Sequence, residues 1–253
     1  MAEYAFLSQY VQEKFFDLLM ETTNFEKAKN SVIDIGCGTG NNTIKLLPLI
    51  GSQSRVVGID PIRERIEIAR KVLDTGKTNN HRLAFKQGSG LDVGNFGNDF
   101  DLAITATVLN WIRPEDKIPT FKAIYDSLRT GGEYIFNTVH IENNSQGFLA
   151  FFKSKTRREF YKHYFPSTKM QLKRNLQDAG FSNITIQEIE IILPLPINLD
   201  QYFQWIASSL HVFDYETILS ELRTSNTNRN TILDQDGKVI YKWTHFYGRC
   251  VKD

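Results

Sequence analysis

Nine residues constrain this chain more than any others: Val32-Ile33-Asp34-Ile35-Gly36-Cys37-Gly38-Thr39-Gly40. The apolar members around one acid read as a short buried strand. The glycines read as the sharp turn that ends it, and Thr43 to Leu49, apolar at helical spacing, as the helix that follows. Without a Cβ, such a turn takes positive φ and lets a ligand approach the main chain closely. The amides at the start of the next helix favour a negative group. Dinucleotide sites use this geometry with G-x-G-x-x-G spacing. Here the spacing is Gly36-x-Gly38-x-Gly40, and the helix continues from Asn41 with no third fingerprint glycine. That argues against a nicotinamide dinucleotide and for a ligand without a pyrophosphate. A plain tight turn is the competing reading.

The rest of the first half repeats the strand-helix rhythm. Arg55 to Ile59 is a second strand ending at Asp60, 20 residues past Gly40. A carboxylate there can accept both hydroxyls of a ribose, although an Asp before a proline also caps helices. Pro61 suits a first helical turn, and Ile62 to Leu73 continues it. Arg82 to Gln87 alternates as a third strand, and Phe100 to Thr105 is a nearly continuous apolar fourth, as expected for a strand buried on both faces. Lys117 to Leu128 is helical, Gly131-Gly132 breaks it, and Glu133 to Val139 is a fifth strand. Strands alternating with helices predict an α/β fold with a doubly wound, mostly parallel sheet.

The second half is less regular. An amphipathic helix over Ser8 to Glu21 precedes the glycine turn. Later helices are expected over Gln146–Tyr164, Thr168–Ala179, Leu199–Leu210 and Tyr215–Arg223. Ile184 to Ile192 is a sixth strand. The Asp236-Gly237 turn leads into a long alternating terminal strand, Val239 to Val251. The sheet is therefore expected to have seven strands with an antiparallel C-terminal strand. Segments of about 146–165 and 194–233 are expected to be helical lid insertions over the carboxyl ends of the strands, all within a single domain spanning 1–253.

Composition excludes several classes. A formal net charge of +1 does not suggest a nucleic-acid surface. Two cysteines, Cys37 and Cys250, form no disulfide framework and fit a reducing, cytoplasmic setting. No apolar run reaches about 18 residues, so no membrane span is expected. Glu3, Glu13 and Asp17 interrupt the N-terminal apolar pattern, which reads against a secretory signal. His81, His163, His211 and His245 form no ligand spacing with the cysteines, so no metal is expected.

Four motifs carry a family resemblance: Asp34-Ile35-Gly36-Cys37-Gly38-Thr39-Gly40, Val57-Gly58-Ile59-Asp60, Phe100-Asp101-Leu102-Ala103 with Leu109-Asn110-Trp111-Ile112, and Leu128-Arg129-Thr130-Gly131-Gly132-Glu133. Residues 31 to 139 resemble the class I S-adenosylmethionine (SAM)-dependent methyltransferases, with their Rossmann-like sheet. Within them, the small-molecule group that includes trans-aconitate, malonyl-carrier and juvenile hormone acid methyltransferases is the most similar. The opening Tyr4-Ala5-Phe6-Leu7-Ser8-Gln9-Tyr10-Val11-Gln12 is similar to the segment that covers the cofactor in such proteins. The resemblance implies a SAM site built from Tyr10, Gln12, Asp34, Gly36, Gly38, Asn41, Asp60, Pro61, Ser89, Gly90, Leu91 and Thr105. The acceptor site is expected to draw on Tyr4 and Trp111 of the resembling segments and on Phe152, Tyr161 and Trp205 of the later insertions, with Asn110, Trp111 and His140, the last by its place after the fifth strand, at the chemistry.

Two departures stand out. The family often has an acid after the third strand, for the adenine amino group. This chain has Gln87-Gly88-Ser89-Gly90-Leu91-Asp92, so Ser89 or Asp92 takes that place. The family often has His before the Trp of Leu-x-Trp, where this chain has Asn110. His140, after the fifth strand, is the remaining candidate base. A carboxylate acceptor, with a pKa of about 4, needs no base at neutral pH; a phenol or protonated amine does. The expected reaction is methyl transfer to a carboxylate of a small organic acid or short peptide. The aromatic residues Phe148, Phe151, Phe152, Phe160, Tyr161, Tyr164 and Phe165, beside Lys153, Lys155, Arg157 and Arg158, would form a partly cationic lid, completed by Tyr202, Phe203, Trp205 and Phe213. Methylation of nitrogen, carbon or a phenol, and a non-catalytic SAM-binding interaction protein, are the alternatives. The sequence leaves oligomeric state open.

Overall fold

A computed structural model describes residues 2–22, 31–74, 80–140, 148–210, 213–228 and 232–253. The strands are β1 (Ser31–Ile35), β2 (Arg55–Asp60), β3 (Leu83–Gln87), β4 (Phe100–Ala106), β5 (Leu128–Val139), β6 (Ser182–Pro194) and β7 (Ile240–Val251). They form one seven-stranded sheet in the order β3-β2-β1-β4-β5-β7-β6. The pairs from β3 through β5 are parallel, and β7 inserts antiparallel between β5 and β6. This is the expected doubly wound α/β sheet with its antiparallel C-terminal strand. Every residue of β1 is buried, which is why its sequence is apolar apart from Ser31 and Asp34. The chain turns to opposite sides of β1 to reach β2 and β4. That reversal opens a crevice at the carboxyl ends of β1 and β4, where open α/β sheets bind ligands.

The helices are α1 (Ala2–Glu21), α2 (Asn41–Ile44), α3 (Arg63–Asp74), α4 (Pro114–Ser127), α5 (Ser154–Phe160), α6 (Lys169–Asp178), α7 (Leu199–Ser209) and α8 (Tyr215–Thr224). Val11, Phe15, Phe16 and Leu19 of α1 are buried, so that helix lies against the sheet by its apolar stripe. Pro114 starts α4, where its missing N–H costs nothing. A Thr168–Gln171 capping box starts α6.

Three expectations are corrected. The helix expected over Thr43–Leu49 is the single turn of α2 followed by a 3-10 turn, Leu47–Leu49, because Pro48 cannot donate into a continued helix. Gly131-Gly132 does not end an element: β5 runs from Leu128 through both glycines, with a register shift opposite Phe100/Leu102. The helix expected over Gln146–Tyr164 is a 3-10 turn, Phe148–Phe151, and then α5; its first residues, 146 and 147, lie outside the described ones. His211 also lies outside them.

The insertion aromatics have a structural use. Phe151, Phe152, Phe160, Tyr164, Tyr202 and Phe203 are buried with Tyr241 and Trp243 of β7 and with Val11 and Phe15 of α1. They form a second hydrophobic core that glues α5, α7 and α8 to the sheet. Most of the expected aromatic lid is therefore the interior of this region, not its opening. Among the described residues, no helix is long and apolar enough to cross a membrane.

Candidate functional site

The glycine turn sits in the crevice. Gly36 and Cys37 donate their N–H groups to the Ile59 carbonyl of β2, at 2.7 and 2.9 Å, which folds the turn back over the neighbouring strand. A Cβ on Gly36 would lie 2.4 Å from Val108 Cγ2, and one on Gly40 would lie 2.4 Å from the Phe85 ring. Both positions therefore need glycine for close packing, on the loop after β4 and on β3, as well as for their φ of +76° and +83°. Gly38 differs. Its φ is +58°, and a Cβ there would meet nothing within 4 Å. The turn is left open at that point, on the side where a ligand can lie against the main chain.

Asp60 organises this turn. It is 2% exposed. Its Oδ2 accepts the Gly38 N–H at 3.0 Å, and its Oδ1 accepts the Ile62 N–H at 2.9 Å. Arg65 Nη1 lies 3.8 Å from Oδ2. The cap and the ligand readings of Asp60 are thus not exclusive. Each carboxylate oxygen has a second lone-pair direction beyond the main-chain N–H it receives. Pro61 is exposed beside it, and its carbonyl accepts from Gln87 Nε2 at 3.1 Å.

A small polar recess lies between α1 and the turn, lined by Gln9, Gln12, Cys37, Thr39, Asn41 and Asn42. Asn42 Oδ1 is buried there without a hydrogen-bond partner among the described residues. Tyr10, on the same helix turn, packs against the second core. Tyr4 lies on α1, but its side chain lies outside the description. After β3, Ser89 caps a 3-10 turn, Gly90–Asn95, by accepting the Leu91 N–H. Asp92 Oδ2 takes both the Ser89 N–H and the Ser89 hydroxyl, at 2.8 and 2.7 Å. These bonds hold the Asp92 carboxyl below its ordinary pKa. Gly90 is pressed on Thr120, and Leu91 is exposed.

Four expected site residues are turned elsewhere. Thr105 is wholly buried, and its hydroxyl pairs with the Tyr134 hydroxyl at 2.7 Å inside the core. Strand alternation sends it to that side. Asp34 is 2% exposed, and its Oδ2 accepts the Thr43 hydroxyl at 2.6 Å, so it braces α2 from within. Phe152 belongs to the second core. His140 is buried against Phe246, ring centroids 4.5 Å apart, with its Nδ1 3.6 Å from Glu188 Oε1.

Asn110 and Trp111 end the 3-10 turn after β4, Leu109–Trp111. Asn110 is buried; its Oδ1 faces the Thr138 hydroxyl at 3.5 Å, and its carbonyl accepts the Phe165 N–H at 2.7 Å. Lys117, on α4, donates to the Phe165 carbonyl and to Ser167 Oγ, the latter at 2.6 Å. Burial pulls the Lys117 amine down to about 8. These bonds dock the segment after α5 onto the Asn110 turn. Trp111 and Tyr161 remain exposed at 45% and 42%, and Tyr164 meets Trp111 edge-on at 5.1 Å. Trp205 is half-buried against Tyr202 and Tyr241.

Sequence reasoning missed Thr107 and Asn137. Thr107 has φ +57° at the end of β4, and its N–H donates to Asn137 Oδ1 at 2.9 Å. Nothing in a sequence marks a threonine for the left-handed region. Asn137, a carboxamide inside an apolar strand, was a visible signal.

Asp34 yields a stability prediction. Burial raises its carboxyl to about 6; the Thr43 hydroxyl opposes this and Asp60 adds to it. The folded state then holds a proton that the unfolded state releases between about pH 4 and 6. The stability contributed by protonated Asp34 is complete below about pH 4 and is lost as pH rises through 6. Asp34→Asn keeps an oxygen for Thr43 without the charge. Its urea midpoint relative to the parent is expected to be raised at pH 7.5 and to converge near pH 4. An equal difference at both values would show that Asp34 is not penalised by burial.

Residues 32–132 match the family described as a methyltransferase domain. A probable SAM-dependent methyltransferase of Saccharomyces cerevisiae is 31% identical over 125 residues, covering 47% of this chain and 39% of that protein. A demethylmenaquinone methyltransferase of Lactobacillus johnsonii is 25% identical over 196 residues, covering 71% of this chain and 77% of that one. The chain thus spans less than half of the yeast protein and most of the bacterial one. Among solved structures, the YcgJ protein of Bacillus subtilis superposes with TM-score 0.65 at 18% identity, covering 95% of this chain and 98% of that one. A phosphoethanolamine N-methyltransferase 2 of Haemonchus contortus, solved with SAM, superposes with TM-score 0.61 at 16% identity, covering 94% of this chain and 52% of that one. Both likenesses are of fold.

Proposed function

From a chain that carries a class I SAM-dependent methyltransferase domain, we propose an O-methyltransferase acting on a carboxylate of a small organic acid or short peptide, as in the trans-aconitate and juvenile hormone acid group. One observation carries this reading. His140, the candidate base beside the crevice, is 6% exposed and turned toward Phe246 and Glu188. The groups at the end of β4 are instead hydrogen-bond donors: the Asn110 carboxamide and the Trp111 indole. Donors suit an acceptor that is already an anion.

The glycine turn and Asp60 fit the cofactor. SAM supplies a methyl group on a sulfonium sulfur, which leaves neutral and asks for no proton. Asp60 holds the ribose hydroxyls while bracing Gly38. Gly38 gives the close approach, and the recess of Gln12, Asn41 and Asn42 takes the polar amino-acid end. Ser89 and Asp92 face the adenine. The remaining task of the protein is to position the acceptor in line and exclude water. Trp111 and Tyr161 form the lip through which the acceptor enters, with the 146–165 and 194–233 segments as its cover within one domain. The setting is a reducing one, such as the cytoplasm.

The test is the pH dependence of the chemical step with a labelled methyl group and a panel of acids, phenols and amines. Single-turnover rates on an acid are expected to stay nearly flat from about pH 6 to 9, since an ordinary carboxyl is ionised throughout. His140→Ala is expected to reduce them only modestly. Rates rising about tenfold per pH unit, and collapsing in the His140 variant, would point to a phenol or amine acceptor with His140 as base.

A further inference from the structure

At the carboxyl end of β5, on the face covered by α1, three polar side chains meet in an otherwise apolar interior. Asn137 pairs with Tyr247 across the β5–β7 ladder, and His245 lies two residues before Tyr247, opposite Val139. Alternation puts Asn137, His245 and Tyr247 on one face. The His245 and Tyr247 rings are 6.4 Å apart, and the Phe15 ring of α1 lies 4.4 Å from His245. All three are between 0 and 2% exposed.

Their hydrogen-bonding capacity is not used up. Asn137 Oδ1 is committed to the Thr107 N–H. Both ring nitrogens of His245 complete no hydrogen bond among the described residues, and the Asn137 amide and the Tyr247 hydroxyl meet only each other, which leaves the phenol O–H and the second amide N–H unspent. A buried polar group left unmade costs about 1–3 kcal/mol, so a folded chain rarely keeps several together without a use for them. Burial pulls the His245 imidazole down to about 3 and pushes the Tyr247 phenol up; the neighbouring Asn137 amide opposes the latter. Near neutral pH the cluster therefore offers uncharged donors: an amide N–H, a phenol O–H and one imidazole N–H. Thr107 and Asn137 tie it directly to the end of β4, beside the crevice.

We propose that Asn137, His245 and Tyr247 form the anchor for the carboxylate of the acceptor, reached when α1 shifts from the sheet. The proposal rests on the carboxylate reading above. A carboxylate taken from water is costly unless its lone pairs are met, and three converging neutral donors meet them without a counter-charge. Phe15 and the second core beyond it would take the apolar remainder of the acid.

Octanoate is a suitable probe, with S-adenosylhomocysteine present to fill the cofactor site. Calorimetry on wild type, Tyr247→Phe and His245→Met reads octanoate affinity, and thermal unfolding reads stability. Each variant removes donors at nearly constant volume. Octanoate affinity is expected to fall at least roughly tenfold in each, with S-adenosylhomocysteine affinity unchanged and the unfolding midpoint equal or higher in His245→Met, whose ring nitrogens hold no internal bond, and little changed in Tyr247→Phe, which gives up only the Asn137 contact. A lower midpoint with octanoate affinity intact would show that the donors serve only the fold, and would overturn the anchor while leaving the carboxylate reading standing. Methyl octanoate binding wild type as tightly as octanoate would equally overturn it. Should octanoate and the acid panel neither bind nor be methylated while a phenol or amine is, the carboxylate reading falls, and the anchor with it.

Discussion

Gly38→Val is expected to lose SAM binding while the chain stays folded, an affinity loss of at least about 100-fold. Gly38 has φ +58°, and the space where its Cβ would stand is empty of protein atoms to 4 Å. The first carbon of a valine side chain therefore meets nothing in the fold, and the branched remainder fills the side of the turn on which the cofactor lies. The left-handed backbone adds a strain of about 1–3 kcal/mol, which lowers the melting temperature without abolishing folding. The neighbouring glycines do not separate binding from folding in this way. Gly36→Val meets Val108 and Gly40→Val meets Phe85, so both are expected to unfold the chain instead. Calorimetry with SAM, paired with thermal unfolding of all three variants, checks the ordering. A folded Gly38→Val with parental affinity would place the cofactor elsewhere.

Asp60→Ala is expected to weaken SAM binding by about 1.5–3 kcal/mol, the range for hydrogen bonds to a charged group, or roughly 10- to 150-fold. It is also expected to lower stability, because Gly38 and Ile62 both lose the carboxylate that receives their N–H groups. Asp60→Asn separates the two effects. It retains one acceptor oxygen for the turn but presents an amide where the ribose hydroxyls need an acceptor. It should therefore recover more of the melting temperature than of the affinity. Parental affinity in a folded Asp60→Ala variant would remove Asp60 from the cofactor site and leave it as a turn brace alone.

The glycine turn, β1, β2 and the doubly wound sheet were legible because their information is local. A run of buried residues, an abrupt change to glycine and a carboxylate at the next strand end each constrain the backbone where they stand. The end of α2 was less legible, because Pro48 acts on a helix whose length depends on packing. Gly131-Gly132 misled for a related reason. Glycines weaken a strand, yet here β5 carries on as a bulge: pairing with β4 jumps from Leu128 to Glu133, the glycines bond instead to the Lys252 main chain just past β7, and the 2.8 and 3.0 Å that a Gly132 Cβ would leave to the Arg129 and Phe100 carbonyls show the close main-chain approach that glycine permits.

The sequence by itself determined the strand-turn-helix at Asp34 to Gly40, the carboxylate at Asp60 and the order of elements feeding one sheet. Those follow from backbone freedom and hydrophobic period, which neighbours in the chain decide. Only the tertiary structure decided which way the polar residues of the strands point. Thr105 went to Tyr134, Asp34 to Thr43, and His140 to Phe246 and Glu188, while Asn137, His245 and Tyr247 were gathered under α1. The register of β7 between β5 and β6 brings residues more than a hundred positions apart into contact, and no local pattern fixes it. The face on which a buried polar group lies, and hence its chemistry, is set by that long-range pairing.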